Sequence, residues 1–226
     1  MSDALLSAWR QCLAAVDTAS TGHDVTLVAV SKTQSTSAIR VLAAAGQRHF
    51  GENYLQEALP KMAACADLAL TWHFIGPLQS NKCRDVALHF DWVQSVDRLK
   101  LVGSLARHRP DAAEPLNVLV QVNVDDEASK SGCRPIDVPS LADAIAAEPA
   151  LRLRGLMAIP EPHPDSDTRR VAFDAMRTLF DALRSTHAGI DTLSIGMSDD
   201  YVDAIDAGAT MVRVGSALFG VRPPRR

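Results

Sequence analysis

Residues 26–46 read TLVAVSKTQSTSAIRVLAAAG: a short β-branched run (TLVAVS, 26–31), a polar turn, then a pattern rich in Ala and Leu that stops on Gly46. A strand that feeds a helix of this length predicts a neighbouring parallel strand, because only a crossover returns the chain to the same edge of the sheet. The unit recurs. Further strand candidates are RHFG (48–51), TWHFIG (71–76), DWVQSV (91–96), NVLVQVN (117–123), LRLRGLMAI (151–159), TLSIGM (192–197) and MVRVGS (211–216). Helical stretches lie between them, among them NYLQEALPKMAACA, VDRLKLVGSLARH and DTRRVAFDAMRTLFDALRSTH. Eight strands alternating with helices argue for a closed (β/α)8 barrel, the TIM-barrel architecture, which leaves no edge strand to protect. An open doubly wound sheet is the other arrangement of the same elements. The opening segment MSDALLSAWRQCLAAVDTAS reads as an extra amphipathic helix before the first strand.

The 226 residues are a little fewer than a barrel of this kind usually has, and no linker or composition shift divides them, so one domain over 1–226 is expected. A formal charge of −4 gives no general attraction for nucleic acid or an anionic membrane. No apolar run approaches the roughly 20 residues of a membrane span. Cys12, Cys65, Cys83 and Cys133 are scattered, with no CxxC pair and no His/Cys/Asp spacing that suggests a metal. A cytoplasmic protein is the expectation, and the start lacks a signal-peptide core.

In such barrels reactive groups gather where strands end and the following loops begin. Lys32, one of five lysines in the chain, follows the first strand. Strand alternation turns Ser31 to the opposite face, which argues against a Ser–Lys nucleophile pair. A lysine at a barrel mouth often reaches only for solvent; held in a pocket, it can lose its proton and attack an aldehyde. The segments TLSIGMSDD (192–200) and MVRVGSALFG (211–220) occupy the place where barrels frequently bind phosphate. Gly196 and Gly215 would let backbone N–H groups approach an anion, and Ser194, Ser198 and Ser216 would add hydroxyls. The bland alternative is that the glycines turn the chain and Ser198 caps the next helix. Asp199 and Asp200 would repel a phosphate, so both are expected to point away from it. Arg213 shares the face of Gly215 by strand parity. A phosphate, an aldehyde-seeking amine and an arginine able to face a ring nitrogen together describe pyridoxal 5′-phosphate. His73, inside the third strand, suits a ring contact or a hydrogen-bonded barrel filler. The loop DDEASKSG (125–132) suits a mobile lid or a plain solvated loop.

The segments VAVSKTQ, HFGENYLQEALPK, WHFIGPLQSNK, SVDR, VNVDDEASKSG, RGLMAIP and SIGMSDDYVDAIDAGATMVRVGSALFG span nearly the whole chain. Together they resemble the pyridoxal phosphate homeostasis protein family, whose members resemble the N-terminal barrel of alanine racemase, the type III fold of pyridoxal-phosphate proteins. The resemblance implies Lys32 as the Schiff-base lysine and Arg213 as the partner of the pyridine nitrogen. It places Ser194, Gly196, Met197, Ser198, Gly215 and Ser216 around the phosphate, with Asn53 and His73 near the ring.

Three functions follow. The first is a non-enzymatic role in vitamin B6 homeostasis, holding pyridoxal phosphate, with delivery to pyridoxal-phosphate-dependent apoenzymes as an open further step. The second is a pyridoxal-phosphate-dependent amino-acid racemase. Alanine racemase draws a second base, a tyrosine, from a C-terminal domain, for which this sequence leaves no expected room. The third is a class I aldolase using Lys32, which predicts a colourless protein where the other two predict a yellow one. An arginine at the pyridine nitrogen weakens the ring as an electron sink and favours the first. A monomer and a weak homodimer are both compatible with the sequence.

Overall fold

The computed structural model describes residues 2–125, 127 and 130–220. Its eight strands are β1 (Thr26–Val30), β2 (His49–Glu52), β3 (Thr71–Phe74), β4 (Trp92–Val96), β5 (Leu116–Val122), β6 (Leu151–Ala158), β7 (Thr192–Ser194) and β8 (Met211–Val214). Each pairs in parallel with its sequence neighbours, and β1 pairs with β8, so the sheet closes into a barrel. The open doubly wound alternative is thereby excluded. The helices are α1 (Ser2–Ala19), α2 (Thr36–Ala45), α3 (Leu55–Ala64), α4 (Cys83–His89), α5 (Leu99–His108), α6 (Val138–Ala146), α7 (Ser166–Thr186), α8 (Tyr201–Asp206) and α9 (Ser216–Phe219). Asp126, Ala128 and Ser129 of the loop read as a lid lie outside the described residues.

Local chemistry sets the element ends. Ser35 Oγ accepts the Ala38 N–H at the start of α2, and Gly46 at φ 115° closes it with a left-handed residue. Asp165 caps α7 by accepting the Thr168 N–H at 2.8 Å. Helix α1 stands outside the alternating rhythm. It buries Trp9, Cys12 and Val16 against the barrel's helical coat, and Trp9 Nε1 donates to Gln47 Oε1 at 2.9 Å.

Side chains of alternating parity divide the core. Outward residues such as Phe50, Val93, Val118 and Leu193 pack under the helices, with Ile39, Leu42, Leu101 and Ile145 facing them. Each such side chain taken from water contributes about 1.5–3 kcal/mol. A second, smaller cluster of Val28, Trp92, Leu119, Met157 and Met211 fills the barrel interior. Two residues along the same strands, and so on the same face, come Gln94, Gln121 and Arg213, all buried. The barrel interior thus holds its apolar side chains at one level, shared with His73 and Ser194, and that polar set at the level above it.

Several strands stop earlier than the sequence pattern predicts. The expected 71–76, 192–197 and 211–216 end at Phe74, Ser194 and Val214. Residues 75–76, 195–197 and 215–216 instead turn at the barrel mouth, Gly196 at φ 91°, and Ser216 starts the short α9. Gly155 in mid-β6 has φ 148°, and a Cβ there would lie 1.9 Å from the Thr192 carbonyl oxygen. Gly155→Ala is therefore expected to separate β6 from β7 and lower the unfolding free energy by about 2–3 kcal/mol. Urea denaturation checks this, and a loss below about 0.5 kcal/mol would contradict it.

Candidate functional site

Residues from six strand ends converge on a cavity of about 450 Å³ at the barrel mouth, lined by Val30, Lys32, Asn53, Met197, Ser198, Asp199, Arg213, Gly215 and Ser216 among others. Lys32 reaches it because Ser31 is turned outward, as alternation requires. Ser31 Oγ donates to Glu52 Oε1 at 2.6 Å behind the sheet. Lys61 on α3 donates to the same Glu52 oxygen and to the Ser31 carbonyl, each at 2.8 Å. Thr33 then takes a left-handed conformation, φ 64°, with its N–H donated to Glu57 Oε2 at 3.0 Å. A β-branched residue adopts that backbone only where its surroundings impose it. The lysine-bearing turn is pinned on both sides by α3 carboxylate and ammonium groups.

Arg213 enters from β8 and is 3% exposed. Its Nη1 donates to the Ser194 carbonyl (2.8 Å) and Ser194 Oγ (2.6 Å), and Nη2 donates to the Ala158 carbonyl (2.8 Å). That commits both Nη1 hydrogens and one of Nη2, leaving Nε–H and the second Nη2 hydrogen for whatever occupies the cavity. Burial pushes the guanidinium down to about 10, with the Asp200 carboxylate pulling the other way, so it is still a cation at neutral pH. Asp200 turns back to accept the Met197 N–H at 2.6 Å.

Ser198 does not cap α8. Its Oγ accepts the Gly215 N–H (3.1 Å) and the Ala217 N–H (3.2 Å) across the β7 and β8 loops. With both lone pairs engaged, the hydroxyl hydrogen remains to be donated, and Ser198 lines the cavity. Asn53 Oδ1 is buried with no hydrogen-bond partner among the described residues, an acceptor beside the same cavity that awaits a donor. The set therefore offers an amine, two unspent guanidinium hydrogens, a serine hydroxyl and a buried acceptor within one concave site. That suits a small ligand carrying an aldehyde, an anionic group and polar ring substituents.

Of the residues singled out from sequence, Lys32, Asn53, Met197, Ser198, Arg213, Gly215 and Ser216 line the cavity; His73, Ser194 and Gly196 do not. His73 is fully buried one level down, stacked on Trp92 at 5.2 Å, and Ile75, two residues further along the same face, is the side chain that reaches the mouth. Ser194 is fully buried and spends its hydroxyl on Gln94 and Arg213 rather than facing the cavity. Gly196 serves the turn: a Cβ there would lie 2.6 Å from Ala204 Cβ on α8. Asp199 corrects the expectation that both aspartates point away, since it lines the cavity while only Asp200 folds back. Gln34, Ile75 and Ile159 were missed. Counting two residues on from His73 and Met157 finds the isoleucines; no sequence signal marks Gln34. Among the described residues no cluster of His, Cys, Asp and Glu is arranged to hold a metal ion.

Comparison with known proteins agrees with the barrel fold. Residues 5–223 match the family model of the alanine racemase N-terminal domain. The pyridoxal phosphate homeostasis protein of Pseudomonas aeruginosa is 58% identical over 198 residues, covering 88% of this chain and 85% of that protein. Its Escherichia coli namesake is 50% identical over 203 residues, covering 88% and 87%. The structure of PipY from Synechococcus elongatus, solved with pyridoxal phosphate bound, superposes with a TM-score of 0.81 at 35% identity, over 97% of this chain and all of that one.

Proposed function

The chain belongs to the alanine racemase N-terminal domain family, among its pyridoxal phosphate homeostasis proteins, and from that premise we propose that it binds pyridoxal 5′-phosphate at the barrel mouth and holds it without turning over a substrate. The observation that carries this reading is the pairing, in one cavity, of Lys32 with a buried Arg213 that keeps two N–H donors unspent. When bound, pyridoxal phosphate supplies an aldehyde for covalent capture and an electron-withdrawing ring.

On this reading Lys32 holds the aldehyde carbon, and Arg213 donates to the ring nitrogen. Ser198 gives its hydroxyl hydrogen to the phosphate, with Met197, Gly215 and Ser216 around it. The Gly215 N–H is already spent on Ser198, so the glycine contributes room rather than a donor. Asn53 Oδ1 accepts from the ring side. A cationic donor at the ring nitrogen keeps that nitrogen unprotonated, which weakens the electron sink that carbanion chemistry needs. Proton removal also needs a base within reach, worth about 10²–10⁴-fold in rate. Neither tyrosine supplies it: Tyr54 is exposed at the start of α3 and Tyr201 starts α8, and neither lines the cavity. Pyridoxal-phosphate-dependent apoenzymes are the partners this holding role serves. Four unpaired cysteines support a reducing, cytoplasmic setting, and no helix among the described residues is long and apolar enough to cross a membrane.

The test is a visible-absorbance titration with pyridoxal phosphate, followed by α-proton exchange of amino acids in heavy water. Binding with a new absorbance band and negligible exchange is expected. Exchange at ordinary enzyme rates would overturn the holding role and direct attention to Asp199, the carboxylate in the cavity. Arg213→Gln is expected to shift the band, and to cost about 1.5–3 kcal/mol of stability because the Ser194 and Ala158 carbonyls lose a charged donor. An unshifted band would show that Arg213 does not address the ring.

A further inference from the structure

Arg213 is the last member of a file of polar side chains that crosses the barrel interior. Arg213 Nη1 donates to Ser194 Oγ (2.6 Å), and Ser194 Oγ donates to Gln94 Oε1 (2.7 Å). Gln94 Nε2 lies 3.0 Å from His73 Nδ1, and His73 Nε2 lies 3.0 Å from His49 Nδ1. Arg213, Ser194, Gln94 and His73 are all buried. Only one member has a polarity that cannot be reversed: the guanidinium has hydrogens and no acceptor. Beside the file, the Met211 thioether 3.1 Å from Gln94 Nε2 is fixed in the opposite sense, since it can only accept. Ser194 Oγ receives a hydrogen from Arg213 and donates its own to Gln94 Oε1, and Gln94 turns its amide nitrogen to the Met211 thioether, so the carbonyl lies on the Ser194 side and the N–H donors on the other. The Gln94 amide nitrogen then faces His73 Nδ1, which must be a lone pair. His73 accordingly carries its proton on Nε2 and donates it to His49 Nδ1. Burial holds His73 well below its ordinary protonation range, with the His49 ring adding to the effect, so it stays neutral and one tautomer suffices.

A glutamine at this point demands explanation. It borders the apolar interior cluster through Met211, and a buried amide is tolerable there only with its groups matched, as Ser194, His73 and Met211 Sδ match them here. We propose that Gln94 is a positioning residue: its amide locks His73 in the Nε2–H tautomer on one side and, through Ser194 on the other, holds Arg213 so that its unspent donors face the cavity. The inference rests on the reading that Arg213 addresses pyridoxal phosphate. It assigns His73 a part in the site without contact with the ligand.

Two measurements test it on the wild type, Gln94→Met and Ser194→Ala. Histidine ¹⁵N–¹H correlation spectra of the ligand-free protein report the tautomer; absorbance titration reports pyridoxal phosphate. The wild type is expected to show His73 as the Nε2–H tautomer. Gln94→Met should release that tautomer, weaken pyridoxal phosphate about tenfold, the size of one charge-assisted hydrogen bond, and shift the absorbance maximum. Ser194→Ala should weaken and shift the ligand similarly while leaving the His73 tautomer intact, because Met211 Sδ still holds the Gln94 amide nitrogen on the His73 side, a split that a merely structural role would not produce. An Nδ1–H tautomer in the wild type overturns the proposal, as does wild-type absorbance and affinity in Gln94→Met. If Gln94→Met does not fold, unchanged absorbance and affinity in Ser194→Ala overturn it. A wild type that binds no pyridoxal phosphate sinks the reading of the cavity; one that binds it while the variants bind identically sinks this inference alone.

Discussion

Lys61→Met is expected to lower the unfolding free energy by about 3–5 kcal/mol near pH 8, the cost of stranding one buried charge. Glu52 is fully buried, and its two partners, Lys61 and Ser31, both bind Oε1; Oε2 has no hydrogen-bond partner among the described residues. Methionine restores the volume of the lysine stem but leaves the carboxylate without a countercharge. Burial already raises the Glu52 carboxyl above its ordinary range, with Lys61 and Ser31 drawing it back. Without Lys61 it rises further. Between the unfolded value and this raised folded value the native state binds more protons than the unfolded chain, so the variant's stability falls as pH climbs through that window and recovers as pH drops. The gap to wild type should therefore narrow between pH 8 and about pH 5.5, and Glu52→Gln in the Lys61→Met background should restore part of the loss. Urea unfolding at both pH values decides it: a loss under about 1 kcal/mol at pH 8, or one that does not change with pH, contradicts the account.

The ion pair bears on function because it lies directly behind Lys32. Lys61 also holds the Ser31 carbonyl, and Glu57 holds the Thr33 amide, so α3 fixes the turn from which Lys32 projects. None of this was legible in the sequence beyond the alternation of Ser31 and Lys32, since which carboxylate meets which ammonium depends on how α3 lies against β1 and β2. The barrel itself was legible, because eight apolar runs between helical patterns leave few alternatives, and so was the convergence of Lys32, Ser198 and Arg213, which strand ends bring together in any closed barrel. The levels within the barrel were not. His73 and Ser194 sit one layer below the mouth, a matter of strand register and of where each strand breaks into its turn. Those breaks came at Phe74, Ser194 and Val214, two or three residues earlier than hydrophobic character alone suggested.

Lys32→Ala is expected to abolish covalent retention of pyridoxal phosphate and to weaken its binding about a hundredfold, near 2.7 kcal/mol, while leaving the fold intact. Lys32 is half-buried at the cavity wall and belongs to neither apolar cluster of the core. The other lysines are poorly placed to substitute. Lys61 is committed to Glu52, and Lys130, across an adjoining 210 Å³ cavity, sits on Asp125 at 2.8 Å and Glu127 at 3.4 Å. Lys82 and Lys100 line neither cavity. Borohydride reduction of the loaded wild type followed by peptide mapping should find the pyridoxyl group on Lys32, and the variant should carry none. Label concentrated on Lys82, Lys100 or Lys130 in the wild type would remove Lys32 from the role. Residual, non-covalent binding in Lys32→Ala is itself informative: it measures what Arg213 and the Ser198 hydroxyl contribute without the amine. A holding protein must let the cofactor go, and capture through one covalent bond set beside a few polar contacts gives it a single bond on which release turns.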